Sequence, residues 1–190
     1  MRRRFLQLLD ALEAARARYA IIGAVAMGAH GVRRFTEDID VLVAADDLEA
    51  VVRRLTSALA EIGREPGDGP VKQVRLRSKR ARGPNGVDVD LLVPLDAIES
   101  WALATAVRGR AFDRKVDLAT PEALIVMKLQ AYLSDPDSFQ GAKHRVDAMR
   151  MLLTTPADVP GLRRFVRSNA AMAAELERVL AAPPPRGRLR

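Results

Sequence analysis

Apolar side chains recur along the N-terminal part of the chain at spacings that predict alternating helices and strands. An amphipathic helix is expected over about residues 3–18. Its apolar face consists of Phe5, Leu8, Leu9 and Leu12. The apolar run YAIIG then predicts a short strand ending at Gly23, followed by an alanine-rich helical segment that Gly31 closes. The run DIDVLVA at residues 38–44 predicts a second strand.

The middle of the chain predicts one more helix and a pair of strands. Asp46 is a plausible N-cap for a helix that continues until Gly63. The apolar face of this helix consists of Leu48, Val51, Val52, Leu55 and Leu59. After a loop at 65–70, residues 71–78 alternate like a half-exposed strand, and RGPNG predicts the turn into a strand at 87–94. These two strands should pair as a hairpin.

The last part of the chain has mainly helical patterns. A helix is expected near residues 98–106 and an extended piece at 114–119, before a Thr-Pro pair at 120–121 that forms a good helix start. Helical patterns then follow at 122–133, 142–153 and 162–180, the last as one or two helices.

Together these elements predict an α+β protein with a small mixed sheet of four to five strands flanked by helices. We expect residues 1–118 to form the core that contains the sheet. Residues 119–182 are expected to form a helical part that packs on this core. Residues 183–190, PPPRGRLR, are expected to be a basic disordered tail.

Composition restricts the class of protein. The chain has 190 residues, of which 48% are hydrophobic and 29% charged, as is ordinary for a globular domain. It contains no cysteine, which excludes disulfides, cysteine-based zinc sites and thiol catalysis and fits the reducing cytoplasm. Charges interrupt the first helix, so no signal peptide is expected, and the uncharged run at 19–32 is shorter than the roughly 20 residues of a membrane span.

Positive charge is concentrated in three places. The net charge is +7, and the arginines at 2–4 and at 186–190 supply most of the excess. A third cluster, VKQVRLRSKRAR at residues 71–82, contains no acid. Its basic residues are Lys72, Arg75, Arg77, Lys79, Arg80 and Arg82. This cluster is either a solvated hairpin or a surface that faces a polyanion, and charge alone does not distinguish the two.

Two pairs of aspartates carry the clearest chemical signal. Asp38 and Asp40 open one apolar strand, and Asp88 and Asp90 open another. In a strand, residues i and i+2 point to the same face, so each pair places two repelling charges side by side. If the strands are neighbours, three or four carboxylates share one face. Magnesium prefers such oxygen ligands, and two ions bridged by carboxylates can hold the attacking and leaving oxygens of phosphoryl transfer.

Each of these features has a purely structural alternative. An aspartate at the edge of a strand can cap a turn or pair with arginine, but two such pairs favour the metal site. Gly23 lies at a strand-to-helix junction, where backbone N–H groups and the positive end of a helix can receive a phosphate. Glycine at such a junction can equally serve close packing alone.

The segment IIGAVAMGAHGVRRFTEDIDVLV, residues 21–43, resembles the minimal nucleotidyltransferase module of the DNA polymerase β superfamily. The matching features are a strand-ending glycine, a short helix and an aspartate-hydrophobic-aspartate triplet. The form HGVRRFTEDID resembles the AbiEii-type toxins of toxin–antitoxin pairs more than the antitoxin or antibiotic-modifying branches of the superfamily. The resemblance covers residues 19–93 well and the C-terminal helices more loosely. It departs where Ala24 follows Gly23, since the superfamily usually has glycine or serine there.

The resemblance implies a nucleotidyltransferase fold for residues 1–118 and a metal site. Asp38 and Asp40 would bind Mg²⁺ or Mn²⁺, and a carboxylate of the later strand would be the third ligand. We take Asp90 for that role, with Asp88 as the alternative on the same face. The third carboxylate would also orient and deprotonate the acceptor hydroxyl.

The resemblance also implies residues that bind the nucleotide next to the metal strand. Gly23 and Ala24 would receive a phosphate. Arg34 and Thr36 either contact the triphosphate or cap the strand, and the sequence leaves both roles open.

In the toxin family a lysine on the helix after the sheet neutralises the phosphates, and an aspartate on the following helix completes the pocket. Lys128 and Asp147 match these two positions. Without the family pattern, Lys128 would be expected to extend to water. Asp147 could equally be paired on the surface with Arg145 or Arg150.

These features lead us to expect a magnesium-dependent enzyme that moves a nucleoside monophosphate from an NTP to an RNA acceptor and releases pyrophosphate. The resemblance and the charge indicate the 3′ end of tRNA as acceptor and a cognate antitoxin protein or kinase as partner. Alternatives are transfer onto a protein or a small molecule such as an aminoglycoside, or an inactive binding module. No membrane partner is expected.

Overall fold

The protein is built on one mixed sheet, and the computed structural model describes residues 1–57, 59–66, 71–78 and 88–182. The described sheet has seven strands in the order β3-β4-β5-β2-β1-β7-β6. The strands are β1 Tyr19–Ile21, β2 Asp38–Val43, β3 Leu59–Pro66, β4 Val71–Ser78, β5 Asp88–Leu92, β6 Val107–Ala111 and β7 Arg114–Leu118. Neighbours β2 and β5 are parallel, as are β1 and β7, and the other pairs are antiparallel.

Strand β2 at the centre of the sheet changes its environment along its length. Half-buried and buried residues alternate from Asp38 to Val41, whereas Val41 to Val43 are all buried. Alternation is typical of a strand with one open face, and continuous burial is typical of a strand covered on both faces. The start of β2 is therefore the part of the strand that can present side chains to a ligand.

The chain divides into two compact units. The first, Met1–Thr120, contains the whole sheet and four helices of its described residues. These helices are α1 Arg2–Ala15, α2 Gly23–Ala29, α3 Ala45–Leu55 and α4 Ala97–Ala104. Helix α1 packs against α3, and the short α2 packs against β2 and β6. The buried face of α1 is the one that the sequence predicts, with Phe5, Leu8, Leu9 and Leu12 at 0% exposure.

The second unit begins at Pro121 and is helical over its described residues. Its helices are α5 Pro121–Ser134, α6 Phe139–Thr154, α7 Val159–Val166 and α8 Ala170–Ala181. Helix α5 begins at the predicted proline and contacts the three other helices of the unit. The consecutive residues Ala123 to Val126 are all buried, which indicates a central helix rather than a surface one.

The structure confirms the α+β class and the antiparallel pairing of β4 with β5, and it corrects the helix expected to end at Gly63. That helix begins with Ala44 as its N-cap, carries Asp46 in its first turn and ends at Leu55. Leu59 continues the helical spacing from Leu55, but it belongs to β3 and is 0% exposed. Pairing with β4 determines its conformation, because an i+4 spacing alone does not distinguish a helix from a following buried strand.

The sheet is also larger than the four to five strands expected, because β3 and β6 were not predicted. Strand β7 is the extended piece expected at 114–119, and it pairs with β6 as a hairpin. The turn between them has Phe112 at φ 47° and Asp113 at φ 67°. Tight hairpin turns with positive φ at both central residues usually use Asn-Gly or Asp-Gly, so Phe-Asp gives no turn signal. Phe112 is placed by packing, since its ring centroid lies 4.9 Å from that of Phe5.

Several predictions fall on residues outside the described ranges. These are most of the loop at 65–70, the RGPNG turn at 82–86 and the tail at 183–190. The domain boundaries remain predictions. None of the helices described in the structure combines the length and apolar character that crossing a membrane requires.

Candidate metal centre and active site

The register of β2 and β5 brings the two pairs of aspartates together. These parallel strands align Asp38 with Asp88 and Asp40 with Asp90. Because residues i and i+2 of a strand share a face, all four carboxylates project from one side of the sheet. The intervening Ile39 is fully buried on the other side. The pairing of β2 with β5 therefore assembles the acidic face that the two pairs of aspartates predict.

Three of these carboxylates form a compact group. Asp38, Asp40 and Asp90 each place a carboxylate oxygen within 4.8 Å of the others. Asp90 is 2% exposed, and the other two are half-buried. Ionised carboxylates at this separation repel one another, and an all-oxygen donor set is the one that Mg²⁺ and Mn²⁺ prefer. The residues present therefore fit a divalent cation.

Two arginines of β4 bind the aspartates of β5. Arg75 donates to the two carboxylate oxygens of Asp90 at 2.7 and 3.0 Å, and Arg77 donates to those of Asp88 at 2.7 and 2.6 Å. These hydrogen bonds raise the pKa of both guanidinium groups above the ordinary value for arginine. Asp88 is thus engaged by Arg77, while Asp90 both binds Arg75 and belongs to the group of three. This geometry favours Asp90 over Asp88 as third metal ligand.

These ion pairs involve arginines of the basic cluster at 71–82. Its described basic residues are Lys72, Arg75 and Arg77, and the structure does not describe Lys79, Arg80 or Arg82. Lys72 lies 3.1 Å from Glu65, and the two arginines bind Asp90 and Asp88. The described cations of this cluster are therefore paired with carboxylates of the protein itself.

Thr36 orients one carboxylate of the group. Its hydroxyl donates to Oδ1 of Asp38, two residues further along the chain. Because Asp38 opens β2, this hydrogen bond holds the first ligand of the strand in one orientation. Arg34 donates to the carbonyl of Phe35 at 3.1 Å. The triphosphate contacts expected of Thr36 and Arg34 remain predictions.

Gly23 brings the start of α2 against Asp40. Its φ is +59°, a conformation that favours glycine, and an added Cβ would fall on Oδ2 of Asp40. The amide of Ile22 donates to the carbonyl of Asp40 at 3.1 Å. Gly23 is thus required for close packing beside a candidate metal ligand. The phosphate-binding role of Gly23 and of the buried Ala24 remains a prediction.

Lys128 and Asp147 lie in the second unit, on α5 and α6. The Nζ of Lys128 is 3.4 Å from Nδ1 of His144, and the lysine is half-buried. Asp147 is 2% exposed and therefore does not lie on the surface, while its pairing with Arg150 stays a prediction. Arg145, one of its suggested surface partners, binds the buried Glu175 at 2.6 Å. The nucleotide-binding roles of Lys128 and Asp147 remain predictions.

Comparison with known families decides the identity. Residues 7–188 match the family described as "Nucleotidyl transferase AbiEii toxin, Type IV TA system". The chain belongs to this AbiEii family. It is a nucleotidyltransferase, as the paired aspartates of β2 predict. Comparison with proteins of curated function found no significant match.

Solved structures share the fold of this AbiEii protein. One is ANT(2″)-Ia in complex with adenylyl-2″-tobramycin, with a TM-score of 0.61 and 18% identity over 88% of this chain and 97% of that one. An antigenic nucleotidyltransferase-like protein from Paracoccidioides brasiliensis has a TM-score of 0.54 and 19% identity, with 91% of each chain covered. The lincosamide antibiotic adenylyltransferase LnuA, lincomycin-bound, has a TM-score of 0.51 and 15% identity, with 82% and 98% covered.

Sequence reasoning missed the arginine partners of the AbiEii carboxylates. The signal was available, because Arg75 and Arg77 have the same i, i+2 spacing as Asp88 and Asp90 on the other strand of a predicted hairpin. Opposite charges on facing positions of antiparallel strands commonly pair. The contact of His144 with Lys128 had no comparable signal, since it depends on how α5 packs on α6.

Proposed function

We propose that this AbiEii protein is a magnesium-dependent enzyme that transfers a nucleoside monophosphate from an NTP to an RNA acceptor. The proposed acceptor is the 3′ end of tRNA, and the proposed role is the toxin of a toxin–antitoxin pair. The observation that carries the proposal is the group formed by Asp38, Asp40 and Asp90. Three oxygen ligands from adjacent strands are what a two-metal phosphoryl transfer needs.

The three carboxylates would hold Mg²⁺, with Mn²⁺ as a substitute of similar ligand preference. A divalent cation bound there would neutralise negative charge on the phosphates and make the acceptor hydroxyl easier to deprotonate. Thr36 keeps Asp38 oriented, and Gly23 keeps space for Asp40. Preorganised ligands of this kind spare the enzyme a rearrangement during the reaction.

Asp90 is the proposed general base. It accepts the proton of the acceptor hydroxyl while the hydroxyl oxygen forms a bond to the α-phosphorus of the NTP. The bond from that phosphorus to the bridging oxygen breaks, and pyrophosphate leaves with the electron pair. Arg75 holds the Asp90 carboxylate by two hydrogen bonds and so fixes the direction in which its oxygens point.

The remaining predicted residues would bind the nucleotide. Gly23 and Ala24 would receive a phosphate at the start of α2, and Arg34 would contact the triphosphate. Lys128 would neutralise phosphate charge and Asp147 would complete the pocket. These roles follow the pattern of the AbiEii family rather than any contact with a ligand.

The partners proposed here follow from charge and family. A net charge of +7 favours a polyanionic acceptor such as RNA. A toxin–antitoxin pair implies a cognate antitoxin, as a binding protein or as a kinase that inactivates the enzyme. We place the reaction in the cytoplasm, where NTPs, Mg²⁺ and tRNA are available.

The proposal is tested by incubating the protein with each α-labelled NTP, Mg²⁺, total RNA and total protein. Label should enter RNA with the wild-type chain and with Asp46→Asn, which changes an aspartate whose side chain is 91% exposed. Asp40→Asn should abolish the incorporation of label into RNA. Label in protein or in a small molecule would favour the alternative acceptors. Absence of pyrophosphate release with every NTP would contradict nucleotidyl transfer by this chain.

A further inference from the structure

A large aromatic side chain is exposed just before the strand that carries Asp38 and Asp40. Phe35 is 82% exposed and lies three residues before Asp38. Its neighbour Thr36 donates to Asp38, so the backbone at Phe35 is tied to the start of β2. The carbonyl of Phe35 also accepts a hydrogen bond from Arg34 at 3.1 Å. An aromatic ring held on a fixed backbone and left in solvent is available to a ligand.

Phe35 borders a cavity of about 540 Å³ within the first unit. Val25 and Gly28 of α2 and Phe112 of the β6–β7 turn contribute an apolar lining. The same cavity is lined by Thr36 and Ala24, which places it next to the carboxylate group. Its volume lies in the range of roughly 300–1,000 Å³ that is usual for sites binding small organic groups.

Three arginines line the same cavity as the ring of Phe35. These are Arg33, Arg34 and Arg110, and Arg110 comes from β6 rather than from the segment before β2. Arg33 and Arg110 are exposed. The cations thus come from two separate segments and surround one exposed aromatic ring. This arrangement suits a ligand that has flat bases and more than one phosphodiester group. Single-stranded nucleic acid is such a ligand, because its bases stack on aromatic rings and its backbone follows positive charge.

We propose that Phe35 stacks a base near the 3′ end of the RNA acceptor, while Arg33 and Arg110 contact the phosphates of that strand. This inference rests on the proposed function, since it identifies where the acceptor of nucleotidyl transfer binds. It assigns the contact with the 3′ end of the RNA to this cavity. The acceptor would thus enter beside Asp38, on the side of Thr36.

The chain offers closely matched variants. Phe35→Ala removes the ring, and Phe35→Tyr keeps a ring that can stack. Gly28→Leu should fill the cavity, because a Cβ added at Gly28 meets no heavy atom within 4 Å. Phe139→Ala is the control, since Phe139 is 83% exposed and lies in the second unit.

The test measures binding of a fluorescein-labelled single-stranded RNA ending in CCA by anisotropy, and binding of NTP in parallel by calorimetry. Phe35→Ala and Gly28→Leu should weaken RNA binding by about 5- to 100-fold, as loss of one stacked base does. Phe35→Tyr and Phe139→Ala should bind RNA like the wild-type chain. The affinity for NTP should be unchanged in Phe35→Ala, Phe35→Tyr and Phe139→Ala. Gly28→Leu should lower it as well, because the proposed phosphate contacts Ala24 and Arg34 line the same cavity.

The outcomes separate this inference from the proposed function. RNA binding that is equal in Phe35→Ala and wild type would overturn the inference, even if label still enters RNA. No RNA binding by the wild-type chain would also overturn it. A parallel loss of NTP binding in Phe35→Ala would assign Phe35 to the base of the NTP and contradict the acceptor role. Weaker RNA binding in Phe35→Ala, without any transfer of label by wild type, would support the inference and refute the proposed reaction.

Discussion

Arg75 donates one hydrogen bond to each carboxylate oxygen of Asp90, at 2.7 and 3.0 Å. Asp90 is 2% exposed and also belongs to the group of three carboxylates. A guanidinium group therefore provides positive charge on one side of this aspartate, and a divalent cation would provide it on the other. The arginine contact explains how the protein keeps a buried carboxylate next to two others.

The first prediction concerns this contact. Arg75→Gln should lower the free energy of unfolding by about 2 kcal/mol in EDTA, because it leaves Asp90 buried with less neutralising charge. The same variant should gain more thermal stability from Mg²⁺ than the wild-type chain does, because the metal then has no competing cation. Melting temperatures measured in EDTA and in Mg²⁺ check both expectations.

Arg77→Gln is the matched control for this prediction. Arg77 binds Asp88, which faces Arg77 rather than the group of three. Mg²⁺ should therefore raise the melting temperature of Arg77→Gln by as much as it raises that of the wild-type chain. If Arg75→Gln and Arg77→Gln responded identically to Mg²⁺, Arg75 would have no specific relation to the metal centre.

The second prediction concerns Gly23. Gly23→Ala should destabilise the fold by about 1–3 kcal/mol, because alanine is strained at positive φ and its Cβ would displace the Asp40 carboxylate. Gly28→Ala, in the same helix, should be neutral or stabilising by about 0.5–1 kcal/mol, since its Cβ meets open space. Urea unfolding of both variants measures the difference. Equal stability of the two variants would contradict the packing of Gly23 on Asp40.

The third prediction concerns Thr36. Thr36→Val removes the hydroxyl that donates to Asp38 while nearly preserving the volume of the side chain. Affinity for Mn²⁺ should fall by about 10-fold, which is usual when a partner of a metal ligand is lost. Thr36→Ser keeps the donor and should retain most of the affinity. Calorimetric titration with Mn²⁺ distinguishes this role from simple packing, which the serine variant would impair as well.

The fourth prediction concerns Lys128. Lys128→Gln should weaken NTP binding by about 10-fold, the effect expected for loss of one charge-assisted hydrogen bond. Lys143→Gln removes the same charge from α6 and should leave NTP binding unchanged. Equilibrium binding of a fluorescent NTP analogue compares the two variants. Equal affinities would show that Lys128 serves packing with His144 instead.

Local signals predicted the parts of this AbiEii protein that depend on one segment of chain. The i, i+2 aspartates followed by apolar runs identified β2 and β5, and the proline at 121 identified the start of α5. The two strands that the sequence did not predict, β3 and β6, depend on tertiary contacts. Leu59 follows Leu55 at helical spacing but pairs in the sheet, and the β6–β7 turn uses Phe112, whose packing on Phe5 the sequence does not reveal.

The candidate site, like the fold, was predictable where one segment of chain determines it. The residues of the acidic face could be named from their spacing, because a strand fixes which side chains share a face. The matching i, i+2 spacing of Arg75 and Arg77 indicated arginine partners, but which arginine meets which aspartate depends on the register of β4 on β5. Register between strands is set by the packing of the whole sheet, which a single segment does not contain.

The most direct test of the metal centre is a calorimetric titration of Mn²⁺ into three forms of the protein: wild type, Asp88→Asn and Asp90→Asn. The structure groups Asp90 with Asp38 and Asp40, and it pairs Asp88 with Arg77. Wild type and Asp88→Asn should therefore bind the ion with similar affinity, and Asp90→Asn should lose binding. Loss of binding in Asp88→Asn with full binding in Asp90→Asn would contradict the assignment of the metal centre.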